Sequence, residues 1–223
     1  WRKSLEAEGL ARATISKRVL LARAFFKRAM RWRLVTENPF TDVKAGLQSN
    51  PERAFFVTDE ATVALLAACP GAEWRVLLGL CRYAGLRCPS EVGGLRWSDV
   101  SWDRARLLVR SPKTAGHEGK GERAVPIVPE LMPLLLEAFG KAEPGVELVV
   151  PMSADPKVNL RKGLGAIVKR AGLVAWPRPF HNLRASFATA MVERFPSHVV
   201  AAWAGHSVAV AEEHYLQVRD AHF

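Results

Sequence analysis

The chain has 223 residues, of which 49% are apolar and 24% charged, so it has the composition of an ordinary globular protein able to bury one large core or two smaller ones. Its 32 Lys and Arg against 22 Asp and Glu leave a net charge of +10, which favours a polyanionic partner, nucleic acid before an anionic membrane. No run of about 20 apolar residues and no signal-peptide pattern occurs, so a membrane-spanning or visibly secreted protein is excluded and a cytoplasmic, nucleoid-associated one is expected.

The charge is uneven. Residues 1–53 hold 12 Lys and Arg against 5 Asp and Glu, a net +7, and the remaining 170 residues add only +3. The basic segment has one main helical pattern, Thr14 to Arg33, with Thr14 as the expected N-cap. At 100° per residue Ile15, Val19, Ala22, Phe26, Ala29 and Met30 form an apolar stripe, and Lys17, Arg23, Lys27, Arg28 and Arg31 fall in a neighbouring arc. A one-signed arc on a basic chain suits phosphate contact. Leu20, Leu21 and Phe25 lie off the stripe, which predicts burial on more than one side. Asn38-Pro39 ends this segment, and Gly46, Ser49, Asn50 and Pro51 mark residues 46–54 as a linker. Trp1 in place of an initiator Met leads us to expect a preceding segment.

A second module opens at Thr58-Asp59-Glu60, an N-cap followed by two acids in the first turn. The pattern predicts helices to about Ala68 and over Glu73–Ala84, with Gly85 at the C′ position of the second, then a short helix from Pro89 to Leu95. Periodicity then falls to two. Ser98–Ser101, Arg106–Arg110 and Arg123–Val128 read as strands, the last two separated by a Gly- and Lys-rich loop over Ser111–Glu122. Helices follow at Pro129–Phe139, Lys157–Ala171, Asn182–Arg194, Ser197–Ala204 and Val208–Leu216. The expected fold is mainly α with one small antiparallel sheet. Cys69, Cys81 and Cys88 are odd in number and lack C-x-x-C spacing, which predicts buried thiols in a reducing cytosol rather than a zinc site.

Four clusters carry chemistry: Ala84-Gly85-Leu86-Arg87 with Glu91, Leu95-Arg96-Trp97 and Asp99; Ser111-Pro112-Lys113-Thr114; His181-Asn182-Leu183-Arg184; and Ala204-Gly205-His206 followed by Tyr215, nine residues beyond that histidine. In this order and spacing they resemble the boxes of the tyrosine recombinase (phage-type integrase) family. Three departures stand out. Glu91 lies four residues after Arg87, where the usual spacing is three. The lysine loop is long, so Lys120-Gly121 rivals Lys113. Ala204 replaces the leucine that usually precedes the Gly-His pair.

The resemblance implies a helical DNA-binding module of the core-binding type over residues 1–45, with Lys17, Arg23, Lys27, Arg28 and Arg31 on the DNA. The 46–54 linker follows, and residues 55–223 become the catalytic domain. It implies Arg87, Lys113, His181, Arg184, His206 and Tyr215 as catalytic residues. Tyr215 would attack a DNA phosphate to give a 3′-phosphotyrosine and release a 5′-hydroxyl, with no cofactor, metal or ATP. The arginine forks would stabilise the charged transition state. A free phenol has a pKa of about 10, so Tyr215 needs a base, for which His181 is the candidate. His206 would donate to the phosphate or share that step, and Lys113 would protonate the leaving oxygen. The i, i+3 spacing of His181 and Arg184 puts both on one helical face. The implied partner is double-stranded DNA held by a homotetramer. Two alternatives stay open, a type IB topoisomerase-like strand transferase and a catalytically silent DNA-binding relative. His214, beside Tyr215, has no assigned role.

Overall fold

The computed structural model describes residues 1–46, 50–112 and 121–217, apart from the side chains of Pro51 and residues 212–214. Within them the chain is mainly helical with one three-stranded antiparallel sheet, the class the sequence predicts. It divides into two units, Trp1–Glu52 and Arg53–Phe223.

In the first unit, α1 (Arg2–Ala7) precedes α2 (Arg12–Arg31). The short α1 buries only Leu5 and has no periodic signature for sequence reading to find. Helix α2 begins two residues before the expected start, with Ala11 as N-cap, so Thr14 caps nothing. It stops at Arg31, and Arg33 turns left-handed at φ 57°. Leu5, Ile15 and Val19 form a small core with Leu10, Val43 and Ala45. The expected second-side burial is not found: Leu20, Leu21 and Phe25 are exposed, Phe25 by 73%. The reason is that α1 and the 38–46 segment cover one side of α2. Ser16 donates to the Gly46 carbonyl at 2.9 Å, and Asn38 donates to the Arg23 carbonyl at 3.0 Å.

The second unit is built around α4 (Ala72–Tyr83), nine of whose residues are buried. A helix that is apolar nearly all round belongs in the middle of a core. It packs on α3 (Asp59–Ala67), α5 (Met132–Lys141) and α7 (Pro179–Val192). Burial of each of Leu77, Leu78 and Leu80 stabilises by roughly 1.5–3 kcal/mol. The predicted Thr58 cap is present, accepting from the Ala61 amide at 3.2 Å. Gly85 takes the left-handed C′ conformation at φ 63°, and a Cβ there would lie 2.4 Å from the Phe187 ring, so both backbone and packing demand glycine.

The expected helix from Pro89 to Leu95 is only a 3-10 turn over Val92–Gly94, and the consecutive Gly93 and Gly94 are poor helix formers. The sheet order is β1 (Val100–Ser101), β2 (Arg106–Arg110), β3 (Glu122–Pro126), with Leu107 opposite Val125 in the β2–β3 register. Helices α6 (Leu160–Arg170), α8 (Ser197–Ala204) and α9 (Val208–His214) complete the chain order. Trp97 and Trp102 gather around Phe139, Trp176 stacks on Phe55 and Trp203 meets Phe195. Cys69 and Cys81 are buried and Cys88 is half-buried, all as free thiols. Among the described residues no helix is long and apolar enough to cross a membrane.

Candidate active site

The Gly85 turn that ends α4 delivers Arg87 into the interior of the second unit. The Arg87 amide donates to Glu91 Oε2 at 2.9 Å, and its guanidinium donates to Glu91 Oε1, to Ser111 Oγ at 3.0 Å and to the Gly205 carbonyl at 2.9 Å. The four-residue spacing to Glu91 therefore still closes a pair. Glu91 is fully buried and also accepts a two-pronged bond from Arg123 on β3, at 2.9 and 2.7 Å. Burial works against the Glu91 charge, but the Arg123 hydrogen bonds and the charges of Arg123 and Arg87 outweigh it and hold its pKa at about 2. Arg123 Nε in turn donates to the Trp203 carbonyl at 2.6 Å, tying β3 to the end of α8.

Helix α7 supplies the next two groups from one face. Asn182 fixes its start by donating to the Arg53 and Pro177 carbonyls at 3.0 and 2.6 Å. Arg184 is only 2% exposed, donates to the Gly85 and Ala204 carbonyls, and lies 3.7 Å from Glu91. Its burial, before any neighbouring charge, pulls the guanidinium pKa down. Arginine stays protonated even so.

Gly205 ends α8 in the left-handed region at φ 69° and turns His206 toward the same place. A Cβ on Gly205 would lie 3.2 Å from Arg123. His206 is held at about 4, first by burial and then by the positive charge of Arg184, so its imidazole is neutral near pH 7. Nδ1 meets the Ser207 carbonyl at 3.2 Å, and only a protonated Nδ1 can bond there, which leaves Nε2 as an acceptor. Two buried polar atoms at this place, Arg184 Nε and His206 Nε2, have no hydrogen-bond partner among the described residues. One is a donor and the other a proton acceptor.

Tyr215 follows α9 and lies among these groups. Its ring is nearly parallel to the imidazoles of His181, with centroids 5.0 Å apart, and of His206, 4.6 Å apart. The Arg184 guanidinium carbon is 5.2 Å from the ring centroid. The structure thus brings Arg87, His181, Arg184, His206 and Tyr215 together from positions 128 residues apart. Lys113 and its rival Lys120 lie outside the described residues, as does the His214 side chain. The residues flanking that loop are paired, Ser111 to the Gly121 carbonyl at 2.8 Å, and Ser111 also touches Arg87.

The family profile of the phage integrases matches residues 56–222. The chain belongs to the phage integrase family. It is 28% identical over 228 residues to tyrosine recombinase XerC of Bacillus pumilus, covering 95% of this chain and 72% of that relative. It is 24% identical over 234 residues to tyrosine recombinase XerC of a Listeria monocytogenes strain, covering 98% of this chain and 75% of the relative. Among solved structures, the Tn1549 transposon integrase in complex with transposon right end DNA superposes with a TM-score of 0.75 at 19% identity, over 99% of this chain and 80% of that one. A lambda integrase dimer bound to a COC′ core site gives 0.71 at 19% identity, over 96% and 62%. At these identities the structures establish the integrase fold of this family member.

The five basic residues of α2 belong to the first unit and separate into two kinds. Lys17, Lys27, Arg28 and Arg31 are exposed, with the Arg28 guanidinium 4.7 Å over the Trp32 ring. Arg23 is different. Its guanidinium donates to the Phe40 and Val43 carbonyls at 3.2 and 2.6 Å, so it holds the 38–43 segment onto α2 and does not join the exposed arc. Sequence reasoning missed Arg123, although its period-two relation to the buried Val125 and Ile127 places an arginine on the inward face of a strand. It also missed Thr189, an interior α7 residue whose partner is set only by the tertiary fold.

Proposed function

We propose that this phage integrase family member is a site-specific DNA recombinase that cuts and rejoins DNA through a 3′-phosphotyrosine at Tyr215. The observation that carries the reading is the convergence on one phenol ring of two imidazoles and a buried guanidinium, with Arg87 bonded to Glu91 and to the carbonyl of Gly205, the residue before His206. The unpartnered Arg184 Nε suits a donor to a phosphodiester, and His206 Nε2 suits a second donor once it has taken up a proton.

In the forward step the Tyr215 oxygen bonds to phosphorus, the bond from phosphorus to the 5′-oxygen breaks, and the phenolic proton passes to an imidazole. His181 is the assigned base. His206 starts neutral, and the negative charge of a phosphate offsets the arginine repulsion, raises its pKa and lets it donate to a nonbridging oxygen. Lys113, two residues beyond Ser111, delivers the proton to the leaving 5′-oxygen; Lys120 is the alternative source. Arg87 and Arg184 neutralise the equatorial oxygens, a task that divalent metals perform elsewhere, and the reaction should proceed in EDTA. Religation reverses each transfer, with a 5′-hydroxyl as nucleophile, so no ATP is consumed. The first unit contacts duplex backbone through Lys17, Lys27, Arg28 and Arg31, with four protomers on two sites, acting in the cytoplasm at the nucleoid.

The test is covalent trapping. A labelled pool of nicked duplexes with a randomised core is incubated with protein in EDTA, and adducts surviving SDS are recovered and sequenced. We expect enriched sites with the wild type and none with Tyr215→Phe. An adduct that persists in Tyr215→Phe sinks the reading. Efficient relaxation of plasmids lacking any enriched site would replace it with a topoisomerase-like one.

A further inference from the structure

The attacking residue must be held as well as activated, and the structure shows what holds it. Tyr215 terminates α9: its amide still bonds to the Ala211 carbonyl at 2.9 Å, but at φ −123° and ψ −40° the backbone leaves the helix there. Carbonyls at such an end have no partner within their own helix. Thr189 Oγ1 donates to the Tyr215 carbonyl at 3.1 Å and itself accepts from the Gln217 amide at 3.2 Å. Thr189 is 1% exposed and lies on α7, the helix that carries His181 and Arg184.

The use of this hydroxyl is unusual for its setting. Helical Ser and Thr commonly turn back to the carbonyl four residues earlier. Ser186 on the same helix does so, donating to the Asn182 carbonyl at 2.8 Å. Thr189 instead bridges outward, and it can do both jobs because a hydroxyl is at once a donor and an acceptor.

We propose that Thr189 is a positioning residue for the nucleophile. Its hydroxyl clips the backbone on both sides of Leu216, so that one helix sets the Arg184 guanidinium, the His181 imidazole and the Tyr215 phenol in a common frame. Gln217 Nε2, donating to the Phe55 carbonyl at 3.4 Å, adds a second and weaker anchor beyond the clip. The inference rests on the reading of Tyr215 as the nucleophile. It predicts that loss of the clip slows attack on bound DNA without weakening DNA binding, since small misplacements of a reacting atom act on the chemical step.

The experiment compares wild type with Thr189→Val, which replaces only the hydroxyl by a methyl, and Thr189→Ser, which keeps the hydroxyl and removes the methyl. The substrate is the nicked duplex recovered from the randomised pool. Single-turnover adduct formation is measured at saturating protein, and noncovalent Kd is measured separately by fluorescence anisotropy. We expect Thr189→Val to form adduct about tenfold more slowly with Kd within about twofold, and Thr189→Ser to remain within about twofold on both. If Thr189→Val does not fold, Thr189→Ala against Thr189→Ser carries the same contrast. Equal rates for the hydroxyl-bearing and hydroxyl-free variants overturn the clip alone. No adduct from the wild type overturns the nucleophile assignment, and the clip with it.

Discussion

Arg28 and Arg31 on α2 are exposed to solvent, whereas Arg184 on α7 is 2% exposed and donates to the carbonyls of Gly85 and Ala204. The same side chain therefore follows two physical regimes in one protein. On α2 the charge is hydrated and screened, and each arginine can act nearly independently on a polyanion. In the second unit the arginines are oriented before any partner arrives, and their mutual repulsion is offset by one buried carboxylate, Glu91, shared among Arg87, Arg123 and Arg184. Pre-orientation of this kind suits stabilising a transition state, and its cost is dependence on every member of the cluster.

That contrast can be broken most sharply at Glu91. Glu91→Ala leaves several guanidinium groups buried without their counter-charge, and chemical denaturation should show a loss of about 3–5 kcal/mol. A loss below about 1 kcal/mol would mean that the cluster is not mutually dependent. Next comes Arg184→Lys, which keeps the charge but loses the fork. Under the proposed mechanism adduct formation should fall by about 10²–10³, with DNA affinity little changed. A fall in affinity that matches the fall in rate would instead place Arg184 with the screened arginines.

Arg23 tests the boundary between the regimes. Because its donors hold the 38–43 segment, Arg23→Ala should destabilise the first unit by about 1.5–3 kcal/mol in a thermal or urea melt, while Arg31→Ala should leave the melt unchanged. Acid titration separates the second unit further. The folded pKa of His206 is about 4, below its ordinary value near 6.5, so the unfolded chain binds the extra proton and stability should decline as pH falls from about 6.5 to 4. Glu91, held at about 2, adds a second decline as pH falls from about 4.5 toward 2. Replacing His206 by Asn should remove the upper decline and keep the lower. The smallest effect is expected on α2, where Lys27→Ala or Arg31→Ala should lower the slope of log K against log salt for DNA binding by about 0.9 each and leave the pH profile alone.

Local features of the chain were readable in proportion to how local their causes are. Thr58 caps α3 and Gly85 takes a left-handed turn because a few adjacent residues dictate those conformations. His181 and Arg184 share a face because α-helical geometry puts them there. The Pro89 segment is less helical than its proline suggests because Gly93 and Gly94 follow, and α1 is not legible because six residues offer no periodicity. Phe25 departs from expectation for another reason. An apolar residue off a stripe signals a second contact only if another element is there to make it, and the pattern does not contain that element.

The linear chain by itself determined the mainly helical class, the period-two strands, the basic first segment and the order in which arginine, histidine and tyrosine occur, because these depend on composition and on neighbours a few residues apart. Only the tertiary structure decided that Arg123 shares Glu91 with Arg87, that Arg23 is tied to backbone carbonyls, and that Thr189 holds Tyr215. Each of those contacts joins residues 17 or more positions apart, and which partner a buried polar group finds is set by the packing of whole elements.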